Sequence, residues 1–458
     1  MRVKLDIPIT IEEICKIADA QVSSKNDLKN KIEYVCTDTR ECEANDLFIA
    51  LEGVNQSGES YVDDAINKKC FVLSVQERSD VITVNNTTEA LLKISELYKS
   101  KLNLKYTIAV TGSVGKSTTV KFLSKILASK YKVHSPIGNF NNQLGVPLTI
   151  LNVPRDTEVL VTELGMNHSN EISRLSKCLK PDVGIITLIG SSHIGNLGSR
   201  ESIAKAKLEI THGMKDGVLL LPYGEPLLAG MSNALFVSYG SSLSNFSLSN
   251  GRNGLYNLIS PYGNVNGISF FGDHEHLLSN LAFAISAAQV IGLTELEIIK
   301  GVKTITESDL RQRFILLKDF TVFDDSYNAS PESILADLRY IASFGKPFSA
   351  FLGDVLELGD SSKSIHEGIG RAAAEFNINN LYLYGKYSED TAQGAIDAGI
   401  EPSRVFINTD ISSPDISIKQ IKDNHAGGEI ILFKASHKLR LDKIADRLAE
   451  EERMNNER

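Results

Sequence analysis

The sequence predicts an α/β protein built from three domains, and three observations support this prediction. The chain has 458 residues, and hydrophobic cores seldom grow beyond about 250 residues, so this length indicates several domains. Continuous apolar runs alternate with helical patterns through the middle and the end of the chain, which is typical of parallel sheets covered on both faces. A glycine-rich turn follows the first of the central runs. We therefore predict domains at residues 1–100, 101–310 and 311–458.

The first domain is predicted to be a small α/β unit. Short strands are expected at residues 47–51 and 71–75, and apolar residues spaced near 3.6 predict a helix over residues 89–102. The opening segment, MRVKLDIPITIEEI, alternates apolar and charged residues, so we do not expect it to be a signal peptide.

The central domain is predicted to hold a P-loop-type, mainly parallel sheet with flanking helices. The expected elements are strands at 106–110, 159–163 and 183–188, helices at 116–129, 276–291 and 295–303, and short antiparallel strands within 238–271.

The third domain repeats the alternation of strands and amphipathic helices and is predicted to be Rossmann-like. Its strands are expected at residues 314–323, 348–352, 381–384 and 430–433. The charged segment RLAEEERMNNER is expected to close the last helix and to fray.

Composition excludes several classes of function. The net charge of −9 argues against a nucleic-acid partner or a broad contact with an anionic membrane. The five cysteines form no CxxC pair, which is typical of reduced thiols. No apolar run approaches the roughly 20 residues of a membrane span. We therefore predict a cytoplasmic protein without a membrane span, and we expect a monomer.

The glycine-rich turn TGSVGKSTT, residues 111–119, lies between an apolar strand and a helix, and this context favours phosphate binding. Lys116 would neutralise the phosphates, and the Ser117 hydroxyl would bind Mg²⁺. Position 110 is Val where the strict Walker A pattern has Gly, so the motif is a shortened variant. An exposed lysine in an ordinary turn is the alternative. The residues predicted to bind nucleotide here are Gly112, Ser113, Gly115, Lys116, Ser117 and Thr118.

Two further polar residues follow apolar strands. Glu163 ends the run VLVTE, where an unpaired carboxylate would be costly, and His193 follows GIITLIG. Because parallel sheets bind ligands at the carboxyl ends of their strands, both residues and the turn can converge on one magnesium–phosphate cluster. The alternative for His193 alone is a capped surface residue. The amide-rich segment NFNNQLGVP, residues 139–147, either caps its own backbone or contacts a ligand, and the pattern leaves this open.

These residues resemble the Mur ligase family along nearly the whole chain. The resemblance rests on ordered motifs that include the later His366: TDTRE, NDLFIALEG, TGSVGKSTT, NFNNQLGVPLT, TELGMNHSNEI, GSSHIGNLGS, AKAKLEI, DDSYNASPES, LGDVLELG and KASHKL. Three of them, NFNNQLGVP, ELGMNH and DDSYNASP, are similar to the members that add D-alanyl-D-alanine to UDP-N-acetylmuramoyl-tripeptide. The resemblance implies an ATP- and Mg²⁺-dependent enzyme that forms a peptide bond through an acyl phosphate, for peptidoglycan precursors.

The resemblance also implies roles for domains and residues. The first domain would hold the UDP end of the substrate, the second would bind ATP, and the third would close over ATP and admit the amine. The residues implied are Lys116, Glu163, His193 and Lys207 for catalysis, Ser117, Glu163, His193 and Lys207 for the metal, Asn280 for adenine, Arg311 and Asp325 for ribose, and Asp38, Arg40, Asn139, Asn142 and Asn328 for substrate.

Some alternatives stay open at the level of sequence. Lys207 matches a lysine that is carbamylated in several members, and its alternative is an exposed helix lysine. The domain-junction arginine is Arg311 or Arg313, of which we prefer Arg311 by its spacing to Asp325. The third peptide residue, diaminopimelate or lysine, is not determined. Competing functions are a Mur-like amide ligase with another acceptor, such as a folylpolyglutamate-type enzyme or a paralog, a P-loop NTPase switch or motor, and a regulator that has lost activity.

Overall fold

The structure is a computed structural model that describes residues 1–22, 27–53, 56–136 and 138–456. Three β-sheets of five, nine and six strands follow one another along this part of the chain, each with flanking helices. The α/β class with three units is therefore confirmed. No helix in the described ranges is long and apolar enough to span a membrane.

The first unit is a five-stranded sheet in the order β1-β2-β3-β4-β5, in which only β1 and β2 are antiparallel. The strands are β1 Arg2–Thr10, β2 Lys31–Cys36, β3 Leu47–Ile49, β4 Phe71–Ser74 and β5 Ile82–Thr83, and the helices are α1 Ile11–Ala18, α2 Val62–Asn67 and α3 Thr87–Lys101. Helix α1 starts with a capping box between Thr10 and Glu13, so the first strand passes directly into it. Strands β1, β2 and β5 and helices α1 and α2 were not predicted.

The central unit contains nine strands in the order β14-β13-β12-β11-β10-β9-β6-β8-β7. The strands are β6 Tyr106–Thr111, β7 Val133–His134, β8 Val159–Glu163, β9 Val183–Ile186, β10 Val218–Pro222, β11 Ala234–Tyr239, β12 Phe246–Asn250, β13 Tyr256–Ile259 and β14 Val265–Ile268. The helices are α4 Lys116–Leu127, α5 Gly145–Leu151, α6 Glu171–Leu179, α7 Ile194–Leu197, α8 Arg200–Leu208, α9 Glu275–Val290 and α10 Glu295–Val302. Strand β6 pairs in parallel with β8 and β9, so the carboxyl ends of all three lie at one edge. The predicted antiparallel strands are present as β12, β13 and β14.

The third unit is a six-stranded sheet in the order β15-β16-β20-β17-β18-β19. The strands are β15 Arg313–Leu316, β16 Thr321–Asp324, β17 Phe348–Gly353, β18 Leu381–Tyr384, β19 Val405–Asn408 and β20 Ile430–Lys434, and the helices are α11 Pro331–Ala342, α12 Ser362–Glu375, α13 Ser388–Asp397, α14 Pro414–Asn424 and α15 Leu441–Asn456. The prediction of a single strand over residues 314–323 was wrong. This segment forms an antiparallel hairpin of β15 and β16, in which Leu317 N–H donates to the Phe320 carbonyl at 3.0 Å. The last helix reaches Asn456, and the final two residues of the predicted fraying tail lie outside the described residues.

The first two units share one apolar core, whereas the third has its own. Side chains such as Ile9 and Ile94 of the first unit belong to the same buried cluster as Leu148 and Leu151 of α5. The third unit buries separate clusters on the two faces of its sheet. It meets the central unit beside the carboxyl ends of β6, β8 and β9, where most of the predicted site residues lie.

Candidate functional site

The turn between β6 and α4 is a tight backbone loop held against the strand beside it. Gly112 has φ of 148°, and a Cβ there would lie 1.9 Å from Thr187 Oγ1, so only glycine fits. Gly115, with φ of 87°, precedes the first helical residue of α4. Ser113 N–H donates to the Leu188 carbonyl at 2.8 Å, which fixes the loop to the end of β9. The loop therefore presents the amino end of α4 as an anion site.

Lys116 lies inside this loop. Its ammonium group donates to the Gly112 carbonyl at 2.9 Å. Burial lowers the pKa of Lys116, and the nearby Glu163 carboxylate opposes this shift. The lysine is thus held at the loop with few competing partners, as a phosphate-binding cation requires.

Glu163 is buried at the end of β8 and faces the loop. It accepts hydrogen bonds from the Ser117 hydroxyl and from Asn141 Nδ2, the latter at 2.7 Å. The structure therefore brings together Ser117 and Glu163, the two oxygen ligands that the sequence predicts for Mg²⁺. It adds Asn141, which the sequence reasoning missed in favour of its neighbours Asn139 and Asn142.

Lys207 is fully buried on α8, so an exposed helix lysine is excluded. Burial lowers the pKa of its ammonium group well below the usual value, and the Lys116 charge lowers it further, while Glu163 opposes both. Within the described part of the chain, its Nζ has no hydrogen bond or ion pair. Lys207 is therefore buried within electrostatic reach of Glu163 and Lys116, in surroundings that disfavour its cationic form.

His193 stands at the start of the short helix α7 with φ of 66°. Its Nδ1 lies 2.6 Å from Oε2 of Glu357, a residue of the third unit. This contact lowers the pKa of Glu357. Among the described contacts His193 has none with Glu163, although the preceding Ser192 lines the same cavity as Glu163.

A cavity of about 280 Å³ lies between the central and third units, in front of the loop. Its lining includes Ser113, Gly115, Lys116, Ser117, Thr118, Asn139, Asn141, Glu163, His276, Asn280, Arg311, Gln312, Asp325, Tyr327, Asn328 and Lys434. A second cavity of about 240 Å³ adjoins it at Gly115, His276 and Asn280 and is otherwise lined by groups such as Tyr223 and Phe283. Most of the predicted nucleotide residues thus face one continuous space.

The two candidate arginines differ in environment. Arg311 lines the first cavity, with its guanidinium carbon 3.5 Å from the centre of the Tyr327 ring. Arg313 instead pairs with Asp324 and Asp446, both at 2.7 Å, and does not line that cavity. The geometry favours Arg311 over Arg313.

Asp325 belongs to a buried ionic cluster that the sequence reasoning did not detect. Lys434 contacts Asp325 Oδ2 and lies 2.9 Å from Asp337 Oδ2, and His274 of the central unit lies 3.2 Å from Asp337 Oδ1. Gln312 donates to both carboxylates at 3.3 Å. Burial raises the pKa of Asp325 to about 7, although Lys434 opposes the shift. The two carboxylates raise the pKa of Lys434 despite its burial.

The predicted substrate residues separate into two groups. Asn139 and Asn328 line the cavity. Asn142 does not, because its Oδ1 accepts from Gly145 N–H at 2.8 Å and so helps to start α5. In the first unit, Asp38 pairs with Arg40 at 2.6 Å, and the Arg40 side chain is 87% exposed. Both readings of Arg40, a ligand contact and a surface ion pair, fit this geometry.

The fold and site together define a class: α/β proteins with a phosphate loop, covered by a further α/β unit that supplies part of the cavity wall. Comparisons with known proteins narrow this class. The model of the Mur ligase middle domain matches residues 110–288, and that of the Mur ligase glutamate ligase domain matches residues 311–437.

Similar proteins cover almost the whole chain. The UDP-N-acetylmuramoyl-tripeptide–D-alanyl-D-alanine ligase of Bacillus subtilis is 34% identical over 96% of this chain and 98% of its own. A crystal structure of MurF from Acinetobacter baumannii has a TM-score of 0.87 at 26% identity, covering 98% of this chain and 100% of its own. MurF ligase from Thermotoga maritima, solved with ADP, shares the fold with a TM-score of 0.77 at 24% identity over 92% and 98% of the two chains. The chain belongs to the Mur ligase family, and the family resemblance is thereby confirmed.

Proposed function

We propose that this chain is an ATP-dependent ligase that adds D-alanyl-D-alanine to UDP-N-acetylmuramoyl-tripeptide, a step in peptidoglycan precursor synthesis. The single observation that carries this proposal is the near-complete match to the Bacillus subtilis relative of that name. The phosphate loop, which faces a cavity between two α/β units, supports it with a site suited to phosphoryl transfer. We also propose a cytoplasmic monomer with no nucleic-acid partner.

The chemistry begins with a carboxylate, which is a poor electrophile until it is phosphorylated. Transfer of the terminal phosphoryl group of ATP to that carboxylate gives an acyl phosphate, and the amine then attacks the acyl carbon and releases phosphate. Lys116 and the backbone amides at the start of α4 stabilise the charge that develops on the phosphoryl oxygens. Closure of the third unit excludes water, which would otherwise hydrolyse the acyl phosphate.

Magnesium is proposed to bind at Ser117, Glu163, His193 and a carbamylated Lys207. The donor set at Ser117 and Glu163 fits a hard cation, because a hydroxyl and a carboxylate oxygen already meet there. Mg²⁺ usually binds through one or two carboxylates together with phosphate oxygens and water, so a complete protein cage is not required. When bound, it supplies charge neutralisation for the phosphoryl oxygens.

Nucleotide binding is proposed to extend from the loop into the second cavity. Asn280 and His276 stand between the two cavities, where Asn280 would contact the base. Asp325 and Arg311 would hold the ribose side. We propose domain boundaries at residues 1–100, 101–310 and 311–458, with the first domain binding the UDP end and the third admitting the dipeptide.

The test is phosphate release by the purified protein with ATP and UDP-N-acetylmuramoyl-tripeptide, with and without D-alanyl-D-alanine. The proposal expects sustained release only when the dipeptide is present, together with formation of the pentapeptide product. Sustained release with another amino acid or with a folate substrate would instead identify a ligase with a different acceptor. ATP turnover with no acyl acceptor would favour an NTPase, and no turnover under any condition would favour a regulator.

The carbamate on Lys207 gives a specific prediction. We expect Lys207→Ala to lose at least about 100-fold in turnover, because an anionic metal ligand is removed. Added formate or acetate should restore part of the activity by supplying the missing oxygen ligand. Turnover is measured with bicarbonate present, so that the unmodified protein can keep its carbamate, and the exposed Lys205→Ala on the same helix is the matched control. Full activity of Lys207→Ala under these conditions would contradict the carbamate.

The role of the first domain gives a second prediction. We expect Arg40→Ala to raise KM for the UDP-substrate roughly 10-fold and to leave kcat and KM for ATP unchanged, because an interaction made equally in the ground and transition states affects binding alone. Steady-state kinetics decides this. Arg78→Ala, which removes another ion-paired arginine of the first unit, is the control. A large fall in kcat with unchanged KM would show that the domain has a different role.

A further inference from the structure

A loop of the third unit, residues 354–359, lies directly on the loop that carries His193. Gly195 N–H donates to the Glu357 carbonyl at 3.2 Å. A Cβ on Gly195 would lie 2.4 Å from Gly359 N, and a Cβ on Gly359 would lie 2.7 Å from Gly195 Cα. Only two glycines allow the backbones to approach this closely, so the two loops are fitted to each other.

Because the two loop backbones lie so close together, the side chain of Glu357 contacts the His193 ring. Its Oε2 lies 2.6 Å from Nδ1, an ion-pair contact that does not have the angle of a hydrogen bond. Both residues have left-handed backbones, with φ of 65° for Glu357 and 66° for His193. Such a conformation is unfavourable in a residue other than glycine and persists where the surroundings impose it. The unfavourable backbone conformations therefore occur at Glu357 and His193, the two residues whose side chains are in contact.

The third unit shapes its loop independently of His193. Val355 N–H donates to His366 Nε2 at 3.0 Å, and the other ring nitrogen of His366 donates to the Ser362 carbonyl at 2.7 Å. Leu356 N–H donates to Ser436 Oγ at 2.9 Å. These bonds fix the backbone on the amino side of Glu357.

We propose that Glu357 is a positioning residue that orients His193 for cation binding, so that docking of the third unit completes the metal site. An imidazole whose Nδ1 faces a carboxylate keeps Nε2 available for a metal, and the nearby carboxylate restricts the orientation of the ring. Because the carboxylate and the imidazole belong to different units, the oriented ring exists only in the docked arrangement. The inference rests on the proposed role of His193 as a magnesium ligand.

A second carboxylate at the same interface, that of Glu332, makes it possible to test docking of the two units separately from orientation of the His193 ring. Glu332 Oε1 accepts from both N–H and Oγ of Ser191, each at 2.7 Å, and is not in contact with the His193 ring in the described structure. Glu332→Ala therefore weakens docking of the same loop without removing the partner of the imidazole. It is the matched comparison for Glu357→Ala.

The experiment measures Mn²⁺ binding by electron paramagnetic resonance, with a non-hydrolysable ATP analogue present. Glu357→Ala is expected to weaken Mn²⁺ binding about 10- to 100-fold, and Glu357→Gln, which keeps an acceptor oxygen, by less. Glu332→Ala should have a smaller effect than Glu357→Ala, and the exposed Asp360→Asn should have none. In a His193→Ala background, Glu357→Ala should cause no further loss, since its effect passes through the ring.

The inference is overturned if Glu357→Ala binds Mn²⁺ as tightly as the unmodified protein. It is equally overturned if Glu332→Ala weakens binding as much, or if the Glu357 effect persists without His193. Should Glu357→Ala fail to fold by circular dichroism, Glu357→Gln carries the same comparison. The Mn²⁺ measurement needs neither the tripeptide nor the dipeptide, so its outcome is separable from failure of the proposed ligation.

Discussion

Lys116→Ala is expected to lower the rate of ligation about 10³-fold, equivalent to ~4 kcal/mol of transition-state stabilisation. The lysine is held inside the phosphate loop by the Gly112 carbonyl and is half-buried, and no other basic side chain of the loop can replace its charge. Phosphoryl transfer places negative charge on the phosphoryl oxygens, so the loss should fall mainly on kcat. The measurement is single-turnover formation of the ligation product.

Two controls accompany the Lys116→Ala measurement: a second lysine variant and a test of folding. Lys132→Ala removes an exposed lysine that is ion-paired with Asp156 and does not line the cavity, and it should leave the rate unchanged. Circular dichroism should show that Lys116→Ala is folded, since the lysine has a single hydrogen bond in the described structure. A folded Lys116→Ala protein with a near-normal rate would refute the assignment of the loop.

Lys434→Met is expected to destabilise the third unit by about 3–5 kcal/mol, because it leaves two buried carboxylates, Asp325 and Asp337, without their cation. This is a large share of the 5–15 kcal/mol that typically stabilises a domain. The chain has no tryptophan, so urea unfolding is followed by far-ultraviolet circular dichroism. Hydrogen exchange then assigns the loss to the third sheet.

Lys438, a nearby exposed lysine, provides the control for Lys434→Met. Lys438→Met changes an exposed residue and should alter stability by no more than about 0.5 kcal/mol. Lys434→Met should also raise KM for ATP, because Asp325 loses its partner at the proposed ribose site. If the urea midpoint of Lys434→Met matches that of the unmodified protein, the cluster does not stabilise the third unit.

The central sheet and its loop were largely predictable from sequence because their signals are local. Long apolar runs marked β6, β8 and β9, and the position of Glu163 at the end of its run placed it beside the loop. The hairpin of β15 and β16 was missed because apolar residues on both sides of Lys318 and Asp319 read as one continuous strand. The short turn that separates the strands depends on a backbone hydrogen bond that composition does not reveal.

Contacts between segments that are distant in sequence could not be predicted from the sequence. The partners of Lys434 are about 100 residues away, and the cluster depends on which strands lie side by side in the third sheet. The choice between Asn141 and Asn142 depends on the path of a turn that directs one amide to Glu163 and the other to the start of α5. The pairing of Glu357 with His193 requires the docked arrangement of two units, which no local pattern encodes.

The shared core of the first two units has a consequence for how such a chain can be recombined. The first unit buries many of its side chains in the same cluster as the central unit, so replacing it requires both partners to be repacked together. The third unit closes its own cores and meets its neighbour mainly through hydrogen bonds and ion pairs, with Ile194 as an apolar contact. A graft of the third unit from a related ligase needs to match a few polar groups, whereas a graft of the first must match a whole interior. The second junction is therefore where exchange of a whole unit would disturb the scaffold least.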